Sequence, residues 1–232
     1  MKITLYHYPG TRSARVAWLL YELGADVDPE VVRVDLYRGD QYHADYIARS
    51  PLHAVPAVEV VMDNGSKLSM TESGAIIVML ADAFPSADLA PPPAPLTPAR
   101  ADYLSVIHAC GASFDMMLWQ IRIHKHVLNA DQRDVRTIER YRKKFATEAL
   151  PMIARRLAEQ PFICGSRFTA ADCMVAHALL WARSYGLDDN QSVKAYLSRI
   201  AQRPAFQRAF ADAQQFEPLV PQDSLARVLF TG

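Results

Sequence analysis

Three short stretches of the sequence carry residue types that can hold an anion or direct a proton. Thr11 and Ser13 place two hydroxyls directly after Pro9-Gly10, where a helical pattern begins. Glu72-Ser73-Gly74 opens a second helix, and the first turn of a helix offers free N–H donors and a partial positive charge to an anion. Val55-Pro56 stands just before a strand-like run, at a bond that can be cis at small cost. Each stretch also has a plainer use. Thr11, Ser13, Thr71 or Ser73 can serve as N-caps, Glu72 as a first-turn acid, and Pro56 as a proline at a strand start.

The elements that would position these residues follow from the pattern of residue types. Residues 3–8 (ITLYHY) read as a strand stopped by Pro9-Gly10. Val16, Leu19, Leu20 and Leu23 then recur at helical spacing, with Gly24 as the stop. Residues 30–36 read as a second strand and 57–61 as a third. Asp63-Asn64-Gly65 predicts a hairpin turn into a fourth strand at 67–70. A helix from Glu72 carries Ala75, Ile76, Met79, Leu80 and Ala83 on one face and ends before Pro85. The order βαβ, loop, ββα is that of a thioredoxin-like domain. Residues 91–98 contain five prolines and read as an extended linker. Beyond it, segments near 99–124, 132–157, 170–185, 192–201 and 204–214 show only helical periodicity. The expected fold is therefore α/β followed by all-α: a thioredoxin-like domain over 1–84, a proline-rich linker over 85–98 and a helical domain over 99–232.

Bulk composition narrows the function classes. The chain has 232 residues, with 25 Lys+Arg against 25 Asp+Glu. That balance gives no electrostatic reason to expect nucleic acid or an anionic membrane. The three cysteines, Cys110, Cys164 and Cys173, are odd in number and form no CxxC, against both a disulfide scaffold and dithiol chemistry. They are expected in apolar helical surroundings. The N-terminus runs straight into a strand without a signal-like apolar stretch, and no run is long enough to span a bilayer. A cytoplasmic protein with no metal requirement is expected.

Four strings, in order and at compatible spacing, give the sequence a resemblance to the glutathione transferase family across essentially the whole chain: YPGTRSARVAWLLYELG, SPLHAVPAV, TESGAIIVMLADAF and FICGSRFTAADCMVAHALL. The look is of the bacterial, theta-like side of that family.

The resemblance implies glutathione as cosubstrate, a small electrophilic, mostly apolar acceptor, and a homodimer. It makes Pro56 a cis proline, with the backbone of Val55 pairing with the cysteinyl part of glutathione. Glu72 and Ser73 take the γ-glutamyl end, Glu72 accepting from its ammonium group and Ser73 donating to its carboxylate. Alignment on Arg15 puts Thr11 at the position whose hydroxyl stabilises the thiolate, with Ser13 as second candidate and Tyr6 or Tyr8 if the protein were of the tyrosine type. Where the family string usually has Gly-Lys before Val-Pro, this chain has His53-Ala54. The contact to the glycyl carboxylate then falls to Gln41, His53 or Arg12. Tyr103, Ile107, His108 and Gly111, together with Asp115 and Leu118, lie along the first long helix after the linker and are expected to line the acceptor pocket between the domains. Thr169 and Asp172 form a capping box with a folding role. A non-catalytic glutathione-binding protein, and a glutathione-dependent peroxidase or disulfide reductase, are the rival functions.

Overall fold

The computed structural model describes residues 1–24 and 27–215. These residues form two compact units, one made of 1–87 together with the described residues from Pro204 on, the other of 88–203.

The first unit is built on a four-stranded sheet of order β2-β1-β3-β4, with β1 Lys2–His7, β2 Glu30–Arg33, β3 Ala57–Val61 and β4 Lys67–Thr71. β2 runs parallel to β1, while β3 is antiparallel to both β1 and β4. The parallel pair requires a crossover, and α1 (Ser13–Glu22) supplies it. β1 alternates as its sequence demands: Ile3, Leu5 and His7 are buried, whereas Thr4 and Tyr6 are half-buried. β2 stops at Arg33, short of the expected residue 36, because Asp35 begins a turn. Its carboxylate accepts from the N–H groups of Tyr37 and Arg38, and its own N–H goes to Asp40. A short helix, α2 (Ala44–Ile47), follows in a stretch that reads as loop in the sequence.

α3 (Ser73–Ala83) packs beside α1, burying Ile76, Ile77 and Leu80. The last described helix, α10 (Pro204–Ala209), returns to α1, where the Trp18 ring meets Phe206 and Phe210 edge-on at 5.1 and 6.1 Å. That aromatic cluster covers a fully buried tryptophan and ties the end of the described chain to the sheet unit.

The second unit is helical: α4 Pro98–Ala109, α5 Asp115–Arg122, α6 Val135–Lys144, α7 Leu150–Glu159, α8 Ala170–Arg183 and α9 Gln191–Ile200. Two of its helices open on side-chain caps. Thr97 accepts from the Arg100 N–H ahead of Pro98, and Asn190 accepts from Ser192 and Val193. Wide π-helical turns at Cys110–Phe114, Ile123–Val127 and Phe145–Ala149 interrupt what the sequence reads as uniform helix. α8 starts with the expected box: the N–H of Thr169 donates to Asp172 at 2.8 Å. The same carboxylate also accepts from the Ile163 N–H and the Tyr196 hydroxyl, each at 2.9 Å. Cys110 and Cys173 are buried in helical segments, but Cys164 sits in the turn between α7 and α8, half-buried.

Candidate functional site

The turn after β1 gathers three chemically active side chains. Pro9 and Gly10 bend the chain, Gly10 with a left-handed φ of 69°, so that the start of α1 folds back on the end of β1. The Ser13 hydroxyl thereby reaches 2.8 Å from the His7 Nδ1 and 2.8 Å from the Thr11 hydroxyl. It also accepts from the Tyr8 N–H at 3.1 Å. Thr11 Oγ1 lies 2.7 Å from the Tyr8 carbonyl. Ser13 has no exposed surface, His7 is 7 % exposed, and Thr11 is half-buried. Burial pushes the His7 imidazole down to about 4 and Arg33 acts in the same direction, while Asp212 and the Ser13 hydrogen bond oppose them. The ring is therefore neutral near pH 7. The tyrosines of this strand end take other paths. Tyr6 donates to Glu59 at 2.6 Å, which in turn accepts from Arg49 at 3.0 Å. The Tyr8 ring is buried against Tyr37 and lies under the Arg33 guanidinium.

The Val55–Pro56 bond is cis. The turn that precedes it is tied twice, since the hydroxyls of Tyr46 and Ser50 both donate to the Ala54 carbonyl, at 2.8 and 2.9 Å. Burial pushes the Tyr46 phenol up to about 12, so it remains a donor. Val55 itself stands just ahead of β3, beyond the residues registered with β1 and β4.

Glu72 is exposed and holds a left-handed φ of 68° at the entry to α3. A non-glycine residue there stores about 1–3 kcal/mol of strain, a feature that concentrates at binding sites. Ser73 follows as the first residue of α3 and is buried. Behind it the fully buried Arg15 points an Nη1 at the Ser73 hydroxyl, 3.5 Å away. A helix N-terminus with a buried guanidinium behind it favours negative charge.

A surface cleft joins the Val55–Pro56 turn and the start of α3 to Arg12, while Thr11 and Ser13 are not among its lining residues. Its walls are Arg12, Ser50, Leu52, Ala54, Val55, Pro56, Thr71, Glu72 and Ser73. Four of the residues singled out from sequence, Val55, Pro56, Glu72 and Ser73, thus lie on one wall, and Arg12, the residue after Thr11, is the cation on that surface. Gln41 is buried off the wall, its amide donating to the Leu36 carbonyl at 3.0 Å. His53 is exposed, with a φ of 43°, and its ring leans on Tyr42.

In the helical unit, Tyr103 and Ile107 are buried, and the Arg100 guanidinium lies 5.3 Å from the Tyr103 ring. Asp115 and Leu118 are buried as well, whereas His108 and Gly111 are exposed, so α4 and its π turn divide these residues between two faces. The thiols offer no nucleophile: Cys110 and Cys173 are buried, and burial pushes Cys164 up to about 12. Among the described residues no group of three or more His, Cys, Asp or Glu side chains is placed to hold a metal, and no described helix is long and apolar enough to cross a membrane.

The sequence pattern singles out neither His7 nor a partner for Arg15. His7 shares the alternation of Ile3 and Leu5, a visible sign of burial. Its partner lies six residues on, across the turn, and periodicity does not reveal that pairing.

Residues 1–82 match the model of the glutathione S-transferase N-terminal domain, and residues 137–212 match that of the C-terminal domain. The disulfide-bond oxidoreductase YfcG of Escherichia coli (strain K12) is 30% identical over 91% of this chain and 96% of its own length. The glutathione S-transferase GstA of Escherichia coli O157:H7 is 28% identical over 89% and 96%. Among solved structures, a glutathione transferase family member from Pseudomonas fluorescens pf-5, with two glutathione molecules bound, superposes with a TM-score of 0.78 at 25% identity, covering 90% of this chain and 92% of that one.

Proposed function

The chain belongs to the glutathione transferase family, and on that footing we propose that it binds glutathione in the cleft of its first unit and transfers the tripeptide's thiolate to a small, mostly apolar electrophile. The observation that carries this reading is one cleft whose lining joins Val55, Pro56, Glu72 and Ser73 to Arg12, the residue after the half-buried Thr11. In this reading the Val55 backbone pairs with the cysteinyl residue as a short added strand. The γ-glutamyl carboxylate sits at the start of α3 on the Ser73 hydroxyl and N–H, with Arg15 behind. Glu72 accepts from the ammonium group. Arg12, on the cleft wall, takes the glycyl carboxylate, in preference to Gln41 and His53.

Thr11 supplies the chemistry by donating to the sulfur. A free thiol has a pKa near ~8.5, and each unit of lowering corresponds to about 1.36 kcal/mol of preferential thiolate stabilisation. One charge-assisted hydrogen bond is of that size. The thiol proton leaves to solvent, the sulfur forms a bond to the electrophilic carbon, and the leaving group departs with the electron pair of the bond that breaks. Held proximity of the two reactants supplies much of the remaining acceleration. Cytoplasmic residence and a homodimer belong to the same reading.

A second reading is favoured by the relative named as a disulfide-bond oxidoreductase and by the three ill-suited thiols of this chain. Here the thiolate of glutathione attacks a disulfide directly and expels one thiolate. A second glutathione then attacks the mixed disulfide, so that two glutathiones are oxidised to glutathione disulfide as the substrate disulfide is reduced.

Turnover of a chlorodinitroarene and of a small mixed disulfide, measured side by side on the purified protein and on Thr11→Ala, separates the two. Conjugation that drops about 10–100-fold in the variant supports the transferase. Retention on immobilised glutathione without turnover of either compound would leave a binding protein and sink the enzyme reading.

A further inference from the structure

We propose that His7 is a positioning residue for the thiolate. Carrying its proton on Nδ1, it drives a one-way chain of hydrogen bonds from His7 to Ser13 to Thr11, which frees the Thr11 proton for the glutathione sulfur. This rests on the reading of Thr11 given above.

The direction of the chain follows from a count of protons and lone pairs. Ser13 and Thr11 each have one hydroxyl proton and two acceptor sites. Ser13 Oγ stands 2.8 Å from His7 Nδ1, 2.8 Å from Thr11 Oγ1 and 3.1 Å from the Tyr8 N–H that it accepts. A neutral imidazole has two tautomers. With the proton on Nε2, Nδ1 is an acceptor and draws the Ser13 proton. Ser13 then offers Thr11 no proton to strengthen it as a donor, and Ser13 joins the Tyr8 carbonyl 2.7 Å away as a competitor with the sulfur for the Thr11 proton.

With the proton on Nδ1 the direction reverses. Ser13 accepts from both His7 and the Tyr8 N–H, so its lone pairs are filled and it cannot accept from Thr11. Its own proton goes to Thr11 at 2.8 Å rather than to the Tyr8 carbonyl at 3.1 Å. The Thr11 proton is left with two destinations, the neutral Tyr8 carbonyl or the sulfur. A hydrogen bond to an anion is roughly twice as strong as one between neutral groups, so the thiolate wins. Donors in series polarise one another in the same direction.

The surroundings favour such a chain. Ser13 has no exposed surface and His7 is 7 % exposed, so the inner part of the chain is closed to solvent, and its half-buried member is Thr11. Burial keeps His7 neutral near pH 7, Arg33 adding to that effect and Asp212 opposing it. The ring thus selects between directions of the chain while its charge stays at zero. Binding a thiolate at Thr11 must in turn favour the Nδ1–H tautomer, because linkage is reciprocal.

The test uses the full-length protein. The pKa of bound glutathione is read from thiolate absorbance against pH, and affinity for S-methylglutathione, which has no thiol to ionise, is measured in parallel. His7→Leu removes the donor and is expected to raise the bound thiol pKa by about one unit, a tenfold loss of thiolate at a given pH, with S-methylglutathione affinity unchanged within about twofold. His7→Asn restores an N–H near the Nδ1 position and is expected to recover most of the shift. An unchanged thiol pKa in His7→Leu, or a His7→Asn as impaired as His7→Leu, overturns the proposal. The ¹⁵N spectrum of the His7 ring in the unmutated protein decides the matter even if a variant fails to fold. Nδ1 protonated with glutathione bound supports the chain, and Nε2 protonated overturns it. Failure of the underlying reading looks different: the unmutated protein would then bind no glutathione, or bind it with an ordinary thiol pKa, and both proposals would fall together.

Discussion

Two helix starts in this molecule use the same kinds of side chain to opposite ends. At the start of α8, Thr169 and Asp172 form a closed network. The Asp172 carboxylate is fully buried and its oxygens are filled by the N–H groups of Ile163 and Thr169 and by the Tyr196 hydroxyl. At the start of α1, His7, Ser13 and Thr11 form a series that begins in the interior and ends at a half-buried hydroxyl. Where every acceptor is met inside, the network holds a fold. Where the last group is Thr11, half-buried and donating to the Tyr8 carbonyl, in the proposed reading a ligand competes for that proton. Two corresponding hydroxyl-bearing helix starts in a sequence do not reveal which is which. The termini of their hydrogen-bond chains do.

The largest way to break the contrast is Asp172→Ala. It strands buried donors that include the N–H groups of Ile163 and Thr169 and the hydroxyls of Tyr196 and Thr169, and is expected to remove roughly 3–5 kcal/mol of stability while leaving the glutathione affinity of the folded protein intact. Denaturant unfolding checks the first part and calorimetry the second. A loss below about 1 kcal/mol would mean the closed network is not structural.

The two networks also respond oppositely to acid. His7 ionises near 4 in the native protein against about 6.5 when exposed. From pH 6.5 down to 4 the unfolded chain takes up this proton and the native one does not, so stability falls as pH falls. Asp172 is pushed up to about 6 by burial, against the hydrogen bonds that hold it down. Between about 6 and its ordinary value near 3.9 the native state protonates first, so its contribution grows as pH falls. The stability of His7→Asn relative to the unmutated protein should therefore shift in the variant's favour by about 2–3 kcal/mol between pH 7 and pH 4. Asp172→Asn should shift the other way over its own window. Urea titrations at several pH values measure both, and shifts of the same sign would dissolve the contrast.

Smaller effects lie on the open network and its cleft. Thr11→Ala should raise the pKa of bound glutathione by about one unit and lower kcat about 10–100-fold, with tripeptide affinity little changed. Ser73→Ala and Arg12→Ala should each weaken glutathione binding about tenfold, the cost of one charge-assisted contact, as read by calorimetry. His53→Ala should change that affinity less than about twofold, since an exposed ring leaning on Tyr42 adds little. A larger effect there would move the glycyl contact from Arg12 to His53.

Much of the fold was legible. Strand alternation, the Asn64-Gly65 turn, the proline-rich stretch and the Thr169–Asp172 spacing each depend on residues close in sequence. The wide turns at 110–114, 123–127 and 145–149 were not legible, because a π turn adds a residue per turn without changing the residue types. Nor was the turn location of Cys164 or the early end of β2, which Asp35 and Asp40 decide between themselves.

Of the proposed site, the sequence by itself determined the local pieces: hydroxyls after Pro9-Gly10, a proline before β3, and a Glu-Ser helix start. Their spacing along the chain sets their backbone geometry, and that geometry is local. Only the tertiary structure decided that Arg15 stands behind Ser73, that Arg12 and not His53 lies on the cleft wall, and that His7 meets Ser13. These are contacts between segments brought together by packing, and the strength and direction of a buried hydrogen bond depend on which groups surround it and which are left exposed.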